Sequence, residues 1–130
     1  MIFAAFIALA CFQGCVSAPA NSLQNDKTLM FYGSYKDDFH FRVIAVPNPD
    51  GYRVVIMSES GVKLQDMAIK KNGDPEIYFS IDYMPRETAE DFASFFKEFF
   101  ESGPKRNVKE LNGRAYYFNN DAPVLWMKKV

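Results

Sequence analysis

Histidine and cysteine are scarce in this chain of 130 residues, and their scarcity excludes most kinds of catalytic and metal site. His40 is the only histidine, and the only two cysteines, Cys11 and Cys15, lie close to the N-terminus. Zinc sites and nucleophile–histidine sites need several such side chains in one place. We therefore expect a protein that is not an enzyme, with no metal site and no cofactor, in which His40 is a solvated side chain.

An excess of charge of one sign is also lacking, because the formal net charge is −1. Pairs of basic residues at positions 70–71, 105–106 and 128–129 are well separated in the sequence, and acidic residues lie near each pair. A nucleic-acid surface requires a basic excess on one face. The sequence therefore predicts no nucleic-acid partner.

The N-terminal segment contains no charged residue before Asp26. Its apolar run, from Ile2 to Phe12, is too short to cross a bilayer, which takes about 20 residues. A run of this length followed by small residues is typical of a secretory signal. Because no Lys or Arg precedes the run, we expect that the sequence begins inside a longer signal.

A cysteine that directly follows a small residue at the end of such a run resembles the lipobox of bacterial lipoproteins. In that motif the thiol is alkylated with diacylglycerol, and the cysteine becomes the new N-terminus. Cys15, after Gly14, is the preferred lipidation site, and Cys11 is the second choice. The remaining alternative is ordinary signal cleavage after Ala18 or Ala20. In every case the folded domain has no disulfide, so hydrophobic burial must hold it together.

The rest of the chain has the size of one domain. We expect residues 1–15 to be a signal peptide with its lipobox and residues 16–27 to be a flexible tether. Residues 28–130 then form a single β-rich domain. The N-terminal lipid anchor would make the membrane a partner of the protein in the bacterial envelope.

Short segments of alternating apolar and polar residues, separated by turn signals, predict an antiparallel sheet. The predicted strands span residues 28–36, 39–46, 52–58, 63–71, 76–84, 108–111, 114–119 and 124–129. In the fifth strand the alternation predicts that Ile77, Phe79, Ile81 and Tyr83 face inward. The fold class is therefore α+β, mainly β.

One amphipathic helix is predicted over residues 86–102, where the apolar period changes from 2 to 3.6. Its apolar side consists of Ala89, Phe92, Ala93, Phe95, Phe96, Phe99 and Phe100. Asp91 and Glu98 fall on the opposite, polar side, where we expect Glu98 to contribute little to stability. The aromatic side either fills the core against the sheet or encloses, with the sheet, an apolar cavity suited to an acyl chain.

The order of these elements resembles the N-terminal half of LolB-like outer-membrane lipoproteins. The resemblance covers roughly residues 29–102 and rests on MFYGSY, on the run FHFRVIAVPNPDGYRVVIMSESGVKLQDMAIKKNGDPEIYF and on the acidic amphipathic helix. It implies the LolA/LolB superfold, a curved antiparallel half-barrel with the helix on its concave face, at the periplasmic face of the outer membrane. The family's protruding loop Leu is replaced here by Ser60, and Val62 is the nearest apolar candidate for that loop.

The predicted function is that of a non-catalytic envelope lipoprotein that binds a lipid, an acyl chain or an acylated partner in an apolar concavity. The predicted lining of that concavity is Val54, Phe79, Ile81, Phe92 and Phe96. The alternative is a structural or interaction lipoprotein with a filled core, which docks another envelope protein through an edge of its sheet.

Overall fold

The computed structural model describes residues 27–130, so the predicted signal, both cysteines and nearly all of the predicted tether lie outside the described residues. Within that range the chain forms eight strands and one helix. The strands are β1 (Leu29–Tyr35), β2 (Phe39–Asn48), β3 (Gly51–Ser58), β4 (Lys63–Lys70), β5 (Glu76–Ser80), β6 (Val108–Leu111), β7 (Arg114–Asn119) and β8 (Ala122–Lys129). The helix, α1, spans Arg86–Phe100 and connects β5 to β6.

All eight strands form one antiparallel sheet in the order β5-β4-β3-β2-β1-β8-β7-β6. The first and last strands pair with each other near the middle of the sheet, which leaves β5 and β6 as its two edges. The sheet of the described residues is therefore open rather than closed into a barrel, and α1 joins one edge to the other. This architecture confirms the α+β, mainly β fold class.

Element bounds agree with the sequence prediction to within two residues, except at the end of the fifth strand. The helix stops at Phe100 because Glu101 already has extended dihedral angles, and Gly103 (φ 95°) and Pro104 follow. Asn112 and Gly113 both have positive φ, which confirms the predicted hairpin turn between β6 and β7. The fifth strand is shorter than predicted and ends at Ser80, so Tyr83 lies beyond it and is 74% exposed, not turned inward as predicted.

The face of the sheet that α1 covers, called here the inner face, carries the hydrophobic core. Along the strands the alternation turns one side chain in two toward the helix. The buried side chains include Phe31, Tyr35, Phe41, Val43, Val54, Ile56, Met67, Ile69, Tyr117 and Met127, together with Phe92, Phe95 and Phe96 of the helix. Gly33 is needed here, because a Cβ at that position would collide with the backbone carbonyl oxygen of Trp126 in β8 and with the ring of Phe41.

The alternation predicted for the fifth strand is wrong at Phe79, because β5 contains a β-bulge. Phe79 pairs with Asp66 and Ile77 pairs with Met67, so that Tyr78 is an extra residue without a partner in β4. Directly opposite residues share a face of the sheet. Phe79 therefore lies with Asp66 on the outer face, 40% exposed, while Ile77 lies on the inner face. A bulge shifts the alternation by one residue, which composition alone does not reveal.

Candidate functional site

Three of the predicted lining residues lie together in the core: Val54, Phe92 and Phe96 have 0% exposure. The ring centroid of Phe92 lies 5.1 Å from that of Phe41 in β2. Phe96 contacts Phe95 within the helix, with centroids 4.9 Å apart, and Phe95 in turn lies 5.9 Å from Tyr117 in β7. These are ordinary distances between aromatic rings in contact. The middle of the helix is thus packed directly against the sheet, and these residues act as core.

The other predicted site residues are elsewhere. Ile81 follows β5 and packs, partly buried, at the margin of the core. Phe79 lies on the outer face, where the Lys63 ammonium is 5.3 Å from its ring centroid. Val62 is 47% exposed in the turn between β3 and β4. Cys15, the predicted lipidation site, lies outside the described residues.

A groove of about 590 Å³ opens where the C-terminal end of α1 meets the β2–β3 turn and the end of β4. Its apolar part comes from Tyr52, Ile69 and Phe100. The rings of Tyr52 and Phe100 stack with their centroids 4.0 Å apart and their planes 15° from parallel. Sequence reasoning missed this groove because the stacked pair joins residues 48 positions apart, in β3 and α1.

The charged residues that line this groove are three lysines, Lys70, Lys71 and Lys97, and one acid, Glu101. The Lys70 ammonium is 3.1 Å from a carboxylate oxygen of Glu76, and a hydrogen bond to Glu76 raises the pKa of Lys70. Lys97 is 3.1 Å from Asp74, whereas Lys71 forms no ion pair within the part of the chain that the structure describes. Exposed ion pairs contribute little to stability, about 0–1 kcal/mol. An anionic group could therefore take the place of either acid at small cost.

Asp91 belongs to the predicted polar side of the helix, but it is only 5% exposed. The Tyr35 hydroxyl donates a hydrogen bond of 2.7 Å to one oxygen of Asp91, and the Asn119 amide is 3.4 Å from the other. Burial, together with this contact, raises the pKa of Tyr35 to about 12, so the phenol stays protonated and keeps donating. The contact fixes α1 to β1.

Glu98 also makes specific contacts. Its carboxylate accepts backbone N–H bonds from Arg106, Asn107 and Val108 at 2.6–2.8 Å, and a further bond from the Asn107 side chain. Burial on its own would raise the pKa of Glu98, but the backbone donors outweigh burial and hold the pKa below its usual value. These contacts are inconsistent with the expectation that Glu98 contributes little to stability. Glu98 connects the helix to the start of β6.

Within residues 27–130 no group of three or more His, Cys, Asp or Glu is placed to hold a metal ion. No helix in the same range has both the length and the apolar character needed to cross a membrane. Comparison of the chain with protein-family models, with curated proteins and with solved structures found no match.

Proposed function

We propose that this protein is a non-catalytic lipoprotein of the bacterial envelope that binds a single acyl chain in the groove formed by Tyr52, Ile69 and Phe100. The finer expectation from the sequence, a LolB-like half-barrel at the periplasmic face of the outer membrane, is part of this proposal. The N-terminal apolar run with Cys15 after Gly14 supports the anchor. The proposed binding site lies at the open C-terminal end of the helix, not at its packed middle as the sequence predicted.

The size and the lining of the groove support acyl binding. Its volume of about 590 Å³ lies within the range of about 300–1,000 Å³ that is usual for small-molecule sites. The stacked rings of Tyr52 and Phe100 supply an apolar wall, and Lys71 supplies a positive charge without an acidic partner in the described residues. The apolar wall together with Lys71, on a rim that also carries Glu101, supports binding of an acyl chain that ends in a carboxylate or phosphate.

The expected affinity is modest. Each methylene buried contributes about 0.8 kcal/mol, so that eight methylenes contribute about 6 kcal/mol before the cost of immobilising the ligand. Such a balance fits a protein that takes up and releases its ligand.

A second candidate is an interaction lipoprotein with a filled core. It is supported by the complete burial of Phe92, Phe95 and Phe96. It is also supported by the edge strand β5, where Ile77 and Tyr78 are 39% and 52% exposed. In this function the edge strand docks another envelope protein.

The test of acyl binding is titration of the full chain with a fluorescent fatty acid. Ser102→Trp places a large ring in the groove without touching the core, and we expect it to abolish saturable binding at unchanged melting temperature. The matched control is Ser60→Trp in the exposed β3–β4 turn, which should bind as the wild type does. If the wild type shows no saturable binding, the acyl-binding proposal fails and the interaction lipoprotein replaces it.

The anchor is tested separately by labelling with radioactive palmitate in a bacterial host, with a basic segment added before Met1 to complete the expected signal. The label should enter the wild type and be absent from Cys15→Ala. Loss of the label in Cys11→Ala alone would identify Cys11 as the lipidated residue. Absence of label from the wild type would contradict the anchor.

A further inference from the structure

The outer face of the sheet, opposite the helix, carries a row of basic side chains that the strand register brings together. In the antiparallel ladder Arg114 pairs with Lys128, Lys128 with Tyr32, and Tyr32 with Arg42. The row then continues through Met57 to Lys63. Because opposite residues share a face, this row crosses six neighbouring strands, about 24 Å at the usual strand spacing.

Charge is unevenly divided between the two sides of the molecule. Seven basic strand residues lie on the outer face, against two acidic ones, Asp66 and Glu76. The basic residues are Arg42, Arg53, Lys63, Lys70, Lys109, Arg114 and Lys128. In contrast α1 carries more acids than bases: Glu87, Glu90, Asp91 and Glu98 against Arg86 and Lys97. The balanced net charge therefore hides a basic face.

Both outer-face acids already have basic partners. Asp66 lies 2.6 Å from Arg53 and 3.3 Å from Lys63, and Glu76 pairs with Lys70. In the portion of the chain that the structure describes, Arg42, Arg114 and Lys128 form no ion pair. Their positive charges are therefore available to an external anion.

Apolar and aromatic side chains lie among these bases. Met30 and Tyr32 are 51% and 41% exposed, and Met30 pairs with Ile44 next to the basic row. On the other side of the row the Arg114 guanidinium lies 3.9 Å from the Trp126 ring centroid, and the Tyr32 ring is 6.0 Å from Trp126. Basic side chains beside Trp and Tyr are typical of surfaces at the membrane interface.

We propose that this outer face docks on the anionic headgroups of a membrane. Each basic side chain near such a surface strengthens the attraction about fivefold, so three free bases give weak, reversible docking. Exposed Met30 and Tyr32 favour a membrane over a soluble polyanion, because apolar side chains gain from the interfacial layer. The docking rests on neither the lipid anchor nor the acyl groove, although an anchor would make weak docking sufficient by raising the effective concentration.

The structure offers an internal reporter, because Trp126 on this face is the only tryptophan of the chain. The full chain is reconstituted in vesicles of phosphatidylcholine alone, or mixed with phosphatidylglycerol, each containing brominated acyl chains that quench tryptophan. We expect quenching of Trp126 fluorescence in the mixed vesicles, and we expect it to decline as salt is added. Equal fluorescence in the two kinds of vesicle would overturn the proposal.

Charge reversal tests whether the outer face is the surface that docks on the membrane. Arg42→Glu removes one base of the row, breaks no ion pair among residues 27–130, and should weaken the docking at least about fivefold. Arg86→Glu is the control, since it makes the same charge change on α1, where the Arg86 side chain is 91% exposed. It breaks an ion pair with Glu90 at 3.4 Å, but a pair this exposed contributes little to stability. Equal loss in both variants would mean that only net charge matters and would overturn the assignment to this face. Retention on heparin without quenching by anionic vesicles would replace the membrane by a soluble polyanion.

Discussion

The same strand alternation gives the sheet two different faces: the inner face is apolar and buried under the helix, and the outer face is basic and exposed. The inner face presents Phe41, Val54 and Met67, each at most 1% exposed, to a helix whose phenylalanine side chains fill the space above them. The outer face presents bases, Tyr32 and Trp126 to the surroundings. The inner face, where the sequence predicted a lipid site, is therefore the packed core that stabilises the fold. The proposed binding surfaces are the outer face and the groove at the end of the helix.

The largest effect is expected on the inner face, where Phe96→Ala should lower the free energy of unfolding by about 3–5 kcal/mol. Phe96 is completely buried and packs against Phe95 and Phe100, so truncation leaves a cavity in the core. Chemical denaturation of the purified protein measures the loss.

Phe79→Ala is the matched control on the outer face. The ring of Phe79 is 40% exposed, and we expect a loss of less than about 1 kcal/mol. If the two truncations cost the same, the bulge at Tyr78 and the contrast between the two faces are both incorrect.

Much of this contrast could be predicted from the sequence. Alternation in β1 to β4 and the 3.6 period of the helix correctly turn Val54, Phe92 and Phe96 inward. The bulge in β5 could not be predicted, because Tyr78 is as good a strand residue as its neighbours. The pairing of β1 with β8, which joins the two ends of the domain, could not be predicted either.

The candidate sites depend on distances that a sequence does not contain. Whether Phe92 and Phe96 enclose a cavity or fill it depends on how closely α1 approaches the sheet. In the structure the ring centroids of Phe92 and Phe41 are 5.1 Å apart, and Phe96 is completely buried. Arg42 and Lys128 lie far apart in the chain and are placed in one row only by the register of β1 with β2 and β8. The groove likewise depends on the contact between Tyr52 and Phe100.

A smaller effect is expected at Glu98, where the helix is tied to β6 by three backbone N–H bonds. Glu98→Gln should lower the free energy of unfolding at neutral pH by about 1–2 kcal/mol, because hydrogen bonds to a carboxylate are stronger than those to an amide and these are partly exposed to water. The folded-state pKa of Glu98 is lowered, so its contribution is present above the unfolded-state value of 4.5 and is lost as pH falls through the folded-state pKa. The difference between wild type and variant should therefore shrink in acid.

Asp66, on the outer face, is the second carboxylate whose pH dependence can be compared with that of Glu98. Its pKa is also lowered, chiefly by the hydrogen bond from Arg53, with a further contribution from Lys63. Because those partners are charged and half exposed, salt should screen part of the contribution of Asp66, while the uncharged backbone donors at Glu98 are affected much less. Thermal melts of the wild type, Glu98→Gln and Asp66→Asn, from neutral to acid pH at low and high salt, separate the two sites. If the effect of Glu98→Gln persists unchanged in acid, the carboxylate is not the group that ties the helix to β6.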